Sequence, residues 1–242
     1  VLSEVTHFAF GNPRKRTGDH KATCAKDHAT DSMMELLDKS NGKYYVISHH
    51  QSHAANAFFS SNYDEALIIT IDGSGTEKTD HYDYHREYDP STPNDFFSSA
   101  FTFWKGKGNK IEPIARIPME AITIGSPWRI YTRDIFGLSA GHPHGFAGGT
   151  IMAMASVGEP KYWKDFYNAF IAGEGGPSKH TYAVVDKLKP IADKSEQDRF
   201  DVAASLQRAT EEVAYNIIKP YIDEHKPTNI CFAGGVILNS VM

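Results

Sequence analysis

The stretch Ala66-Leu67-Ile68-Ile69-Thr70-Ile71 constrains the fold of this chain more than any other. Six residues without a charge read as a strand covered on both faces of its sheet, so layers of structure must lie on either side of it. The sequence supplies such layers. Helical patterns are expected at 31–39, 49–60, 128–136, 148–157, 161–172 and 197–225, the last with Pro220 kinking or ending it. Further strands are expected at 44–48 and 229–233, and segments 81–88 and 111–118 continue the sheet as a meander across a variable loop. Residues 1–30 carry little periodicity and read as irregular. Strands that alternate with helices predict an α/β fold.

Composition narrows the function. A formal charge of -5 over 242 residues lacks the basic surplus of a phosphate-backbone binder, and nucleic acid is not an expected partner. Arg14-Lys15-Arg16 reads as a solvated loop. No apolar run approaches the roughly 20 residues of a membrane helix, and the start does not read as a signal peptide. Two distant cysteines, Cys24 and Cys231, argue against a disulfide framework and suit a reducing cytoplasm. The chain opens on Val1 and stops just after a glycine turn, the pattern expected of an internal fragment.

Histidine, at 12 of 242 residues, is the enriched chemical group. In His49-His50-Gln51-Ser52-His53 the first and last imidazoles are four apart. On a helix they share one face, a spacing that lets two imidazoles hold one metal, although surface residues at this spacing are also common. Asp72-Gly73-Ser74-Gly75 follows the buried strand. Its glycines would let backbone N–H groups approach a phosphate and Asp72 could hold a cation; a hairpin turn is the alternative. Ala233-Gly234-Gly235 leads from a second short strand toward Asn239, either as an anion-binding turn or as a tight connection. Gly148 and Gly149 open a Met- and Ala-rich stretch that suits core packing, while His142 and His144 suit an exposed loop.

Taken in order, these stretches resemble the carbamoyltransferase family that includes NodU and TobZ. The family segment HHxxHAAxAF reads here as His49-His50-Gln51-Ser52-His53-Ala54-Ala55-Asn56-Ala57-Phe58, and its DGxG as Asp72-Gly73-Ser74-Gly75. Its GKxMGLAxYG helix corresponds to residues 149–158 and its AGGVALN turn to residues 233–239. The likeness runs from Tyr44 to Met242, weakest between Tyr88 and Ile111.

The resemblance implies an actin/hexokinase-like ATPase fold, incomplete at both ends. Part of one lobe would occupy about 31–145 and the start of a second about 146–242, clamping a nucleotide and a metal. It implies His49, His53 and Asp72 as ligands of a divalent metal, Fe(II) before others. It places Gly73, Ser74, Gly75, Gly234, Gly235 and Asn239 at the phosphates or nucleotide of ATP or carbamoyl-adenylate. The implied reaction transfers a carbamoyl group, derived from carbamoyl phosphate, to a hydroxyl of a small-molecule acceptor; His50 is a candidate for deprotonating that hydroxyl. Thr150 stands where the family has lysine. A tRNA threonylcarbamoyl transferase-like enzyme and a non-catalytic metal- or nucleotide-binding lobe are the alternative readings.

Overall fold

The computed structural model describes residues 7–10, 43–78, 85–87, 96–140, 146–173 and 178–242. Two sheets are present among them. The smaller joins β1 (His7–Phe10), β2 (Lys43–Ile47) and β4 (His85–Glu87), with β1 parallel and β4 antiparallel to β2. The larger has the order β6-β5-β3-β7, from β3 (Glu65–Lys78), β5 (Phe96–Lys107), β6 (Lys110–Pro118) and β7 (Ile230–Ala233). Here β3, β5 and β6 form an antiparallel meander, and β7 returns parallel to β3. The α/β expectation holds. The meander, however, runs through β5, where a variable loop was expected, and β4 belongs to the other sheet. The missed signal was the uncharged run Phe96-Phe97-Ser98-Ser99-Ala100-Phe101-Thr102-Phe103-Trp104, whose last six residues are all buried. The expected helix at 31–39, nearly all of 1–30, and His142 and His144 fall outside the described residues.

Strand β3 is covered on both faces, as its sequence requires. Leu67, Ile69 and Ile71 point into the main core, together with Phe101, Phe103, Phe166, Phe170 and Leu206. Ala66 and Ile68 point the other way and meet Ala54 and Phe58 of α1 (His49–Phe59), Trp104 and Cys231. Full burial of an Ile or Phe side chain contributes about 1.5–3 kcal/mol. Both layers are therefore anchored on this one strand.

The main layer contains α2 (Gly125–Asp134), α3 (Gly148–Ala155), α4 (Trp163–Phe170), α5 (Lys179–Ala192) and α6 (Glu196–His225). Helix α5 was not expected from the sequence, although its buried Thr181, Val184, Val185, Leu188 and Ala192 repeat at helical spacing. Helix α6 starts at Ser195, whose hydroxyl accepts from the Asp198 amide at 3.1 Å. It passes through Pro220 rather than ending there. Pro220 and Asn216, whose carbonyl lies one turn back, are both exposed, so the carbonyl left without a donor can reach water. Trp128 Nε1 donates to Thr210 Oγ1 at 2.7 Å, tying α2 to α6 inside the core.

Candidate metal centre

Two periodicities bring the site together. Along β3 every second side chain faces α1, so Ala66, Ile68 and Thr70 are followed on that face by Asp72. Helix α1 starts at His49, and its 3.6-residue turn places His53 directly above. Ser48 caps it, its hydroxyl accepting from the Gln51 amide at 3.4 Å. Phe58 seats the far end: a Cβ at Gly106 would lie 2.7 Å from its ring, so only glycine admits the helix this close to β5.

The three side chains converge at single atoms. Asp72 Oδ2 lies 2.8 Å from His49 Nε2 and 2.9 Å from His53 Nε2, and the two nitrogens are 3.1 Å apart. All three residues are half-buried. Burial works to raise the Asp72 carboxyl, but hydrogen bonds from His49 and His53 and from the Gly73 amide hold it far below the ordinary carboxylate range. It is an anion at any working pH.

The donor set fits a metal. A cation about 2.1 Å from each of three ligand atoms separates them by about 3.0 Å at right angles and about 3.4 Å at tetrahedral angles. The observed edges of 2.8, 2.9 and 3.1 Å match the first case. Two imidazoles and a carboxylate on one face, with the remaining positions open, is the donor set of non-haem iron sites and also suits zinc or manganese.

The segment 72–75 is not a hairpin turn. Strand β3 continues to Lys78, and its register against β5 shifts between Ile71 and Gly75, which is a bulge. Gly73 does not offer a free amide to a phosphate either, because its N–H donates to Asp72 Oδ1 at 2.5 Å. That bond holds one carboxylate oxygen and leaves Oδ2 for the histidines. On its other side Gly73 packs on the start of α2: a Cβ at Gly125 would lie 2.5 Å from the Gly73 Cα. Gly75 pairs with Ser99 in the ladder, and Ser74 lies within the bulge.

The second glycine turn does reach the centre. Gly234 has φ 105° and ψ 163°, backbone space essentially reserved for glycine, and a Cβ there would lie 2.2 Å from the Ile71 carbonyl oxygen. A Cβ at Gly235 would lie 3.2 Å from Asp72 Oδ1. The turn then continues as a single 3₁₀ turn (Gly235–Leu238). Asn239 is held elsewhere: its Nδ2 donates to Gln207 Oε1 of α6 at 2.8 Å, and it lines a groove of about 480 Å³ with Tyr215, Ile218 and Ile222.

His50 is fully buried and has both ring nitrogens engaged, by Thr70 Oγ1 and by the Ser99 carbonyl at 3.0 Å. Burial pushes its pKa down to about 3, so the ring is neutral. A ring so enclosed has no path to an acceptor hydroxyl, and the role of base is not carried forward. Its partner Thr70, and Thr102 and Trp104 beyond it, were not singled out from the sequence; the one hydroxyl inside the run 66–71 was the available signal. Thr150 is exposed near the start of α3.

A family model described as carbamoyltransferase N-terminus matches residues 24–242. The chain belongs to this family. Among curated relatives it is 28% identical over 214 residues to an uncharacterized protein of Synechocystis sp., covering 80% of this chain and 30% of that protein. It is 27% identical over 209 residues to the nodulation protein NolNO of Sinorhizobium fredii, covering 81% and 26%. With the nodulation protein NolO of Bradyrhizobium diazoefficiens the identity is 26% over 208 residues, covering 81% and 32%. The chain thus spans roughly a third or less of the length of these relatives. The histidine–aspartate trio and the Gly234-Gly235 turn both fall inside the family match. No described helix of this carbamoyltransferase region is long and apolar enough to cross a membrane.

Proposed function

We propose that this chain is a part, from the amino-terminal region, of an O-carbamoyltransferase of actin/hexokinase-like fold, whose metal centre is His49, His53 and Asp72. The observation that carries the reading is the convergence of His49 Nε2, His53 Nε2 and Asp72 Oδ2 within 3.1 Å, beside the Gly234-Gly235 turn. A divalent metal, Fe(II) in first place, would supply a positive charge that stabilises negative charge developing on carbamoyl or phosphate oxygens. The two imidazoles and the carboxylate hold that charge, and Gly73 keeps the carboxylate oriented by binding its other oxygen.

The substrate side rests on the family and on the glycine turn. The side-chain-free turn at Gly235, next to Asp72, supports a phosphate of ATP or of carbamoyl-adenylate, formed from ATP and carbamoyl phosphate, as its ligand. In the transfer, the acceptor hydroxyl oxygen bonds to the carbamoyl carbon as the bond from that carbon to the adenylate phosphate oxygen breaks. AMP departs with the electron pair, and the hydroxyl proton passes to solvent or a base. A non-catalytic binding lobe is the second reading, favoured by the exposed Thr150 in place of the family lysine.

Two measurements test these readings. The chain is expected to bind about one equivalent of Co(II) or Fe(II), with His53→Ala abolishing binding; a variant that binds as well as the parent sinks the metal centre. The full-length protein that contains the chain is then supplied with ATP, Fe(II), labelled carbamoyl phosphate and a panel of hydroxyl acceptors. Label transfer that depends on ATP supports the enzyme, whereas metal-dependent nucleotide binding without transfer favours the lobe.

A further inference from the structure

The buried side of α1 carries a second polar array, distinct from the metal ligands. Trp104 Nε1 lies 2.7 Å from Thr102 Oγ1, and Thr102 Oγ1 lies 2.6 Å from Thr70 Oγ1. Thr70 Oγ1 in turn touches His50 Nδ1, and His50 Nε2 lies 3.0 Å from the Ser99 carbonyl. All five residues are at most 1% exposed. The two threonines are register partners across β3 and β5.

The ends of this array fix every proton in it. An indole N–H only donates, and a carbonyl only accepts. His50 Nε2 must therefore carry the hydrogen it gives to Ser99, and the neutral ring leaves Nδ1 as an acceptor. Thr70 gives its one hydroxyl hydrogen to Nδ1, so it must accept from Thr102, and Thr102 accepts from Trp104. The order runs one way, from Trp104 through Thr102 and Thr70 to His50 and on to Ser99.

Its place relative to the trio is the telling feature. His50 follows His49 and precedes His53 by three residues, while Thr70 precedes Asp72 by two on the same face of β3. The His50–Thr70 contact therefore joins the two segments that carry the proposed metal ligands, one residue from His49 and two from Asp72. We infer that the His50–Thr70–Thr102–Trp104 chain is a positioning device that holds the histidine helix and the aspartate strand in the register the metal centre needs. The inference rests on the metal reading proposed above. Outer groups that orient metal ligands typically change metal affinity by about 10–100-fold when removed.

Thr70→Val keeps the side-chain shape but removes the hydroxyl that meets His50 Nδ1, and Thr70→Ser restores it. The probe is Co(II) added to the chain, read by affinity and by its visible absorption. Thr70→Val is expected to weaken Co(II) binding about 10–100-fold and to alter the absorption bands, with Thr70→Ser recovering both. A folded Thr70→Val that binds Co(II) as the parent does overturns the inference, provided His53→Ala abolishes binding. If His53→Ala also binds unchanged, the metal reading itself has failed. Nitrogen-15 NMR of the unaltered chain tests the proton order without any variant. His50 is expected as the Nε2–H tautomer, and the Nδ1–H tautomer overturns the inference.

Discussion

Replacing Gly234 by alanine tests how the second glycine turn is built. Two separate costs arise there. The φ of 105° and ψ of 163° lie in a region that costs a residue with a Cβ about 1–3 kcal/mol. The added Cβ would also sit 2.2 Å from the Ile71 carbonyl oxygen, so β7 must move away from β3 at a further cost of about 1–3 kcal/mol. The sum is about 2–6 kcal/mol. Gly137→Ala is the control, because Gly137 has φ 63° but nothing within 4 Å of its Cβ position. There the conformational cost of about 1–2 kcal/mol stands alone. Urea unfolding followed by tryptophan fluorescence compares the two, and calorimetry with Co(II) compares their metal binding. Gly234→Ala is expected to lose more stability than the control. It is also expected to bind Co(II) more weakly, since the turn carries Gly235 against Asp72 Oδ1. Equal losses in the two variants would show that the turn does not press on β3, and the reasoning fails.

Other tests address the packing that supports the site. Phe58→Ala empties the pocket between α1 and β5 and is expected to lower stability by about 3–5 kcal/mol in urea unfolding. Gly106→Ala, which crowds the Phe58 ring, is expected to be markedly less harmful in the Phe58→Ala background than alone. At Asp201, burial works to raise the carboxyl, but Lys161, the Glu159 amide and Gln197 together hold it below its ordinary value. Stability from that carboxylate is present above the unfolded value of about 3.9 and is lost as pH falls through the folded one. The stability gap between the parent and Asp201→Asn is therefore expected to shrink between pH 6 and pH 3 in urea titrations; a constant gap refutes the assignment.

How much was legible in the sequence depended on the kind of order involved. The histidines were legible because the helical repeat alone puts positions four apart on one face. The aspartate was legible as the end of an apolar run, but its setting was not. The bulge between Ile71 and Gly75 is a property of how β3 pairs with β5, and β5 lies where the sequence predicts a variable loop. Expecting a loop there hid both the bulge and the buried hydroxyl of Thr102. Helix α5 was missed although its apolar repeat is regular. Of the two effects expected of Pro220, ending the helix is not observed; Pro220 and Asn216 are both exposed, so the carbonyl left without a donor can reach water.

The division of labour between the two oxygens of Asp72 ties these observations together. A carboxylate on a free strand end rotates, and its two oxygens are equivalent. Here Oδ1 accepts the Gly73 amide while Oδ2 meets both imidazoles. That division needs the bulge, because in a regular strand the amide of the next residue points across the sheet and not back toward the preceding side chain. The glycine that this packing requires is Gly125 at the start of α2: a Cβ on it would lie 2.5 Å from the Gly73 Cα, whereas a Cβ at Gly73 would meet only ordinary contacts. Gly125, far away in sequence, thus lets α2 pack against the bend in β3, where one oxygen of Asp72 meets its own backbone and the other meets α1. A residue beside a site aspartate need not bind phosphate to matter; here the Gly73 amide sets the direction of the proposed metal ligand.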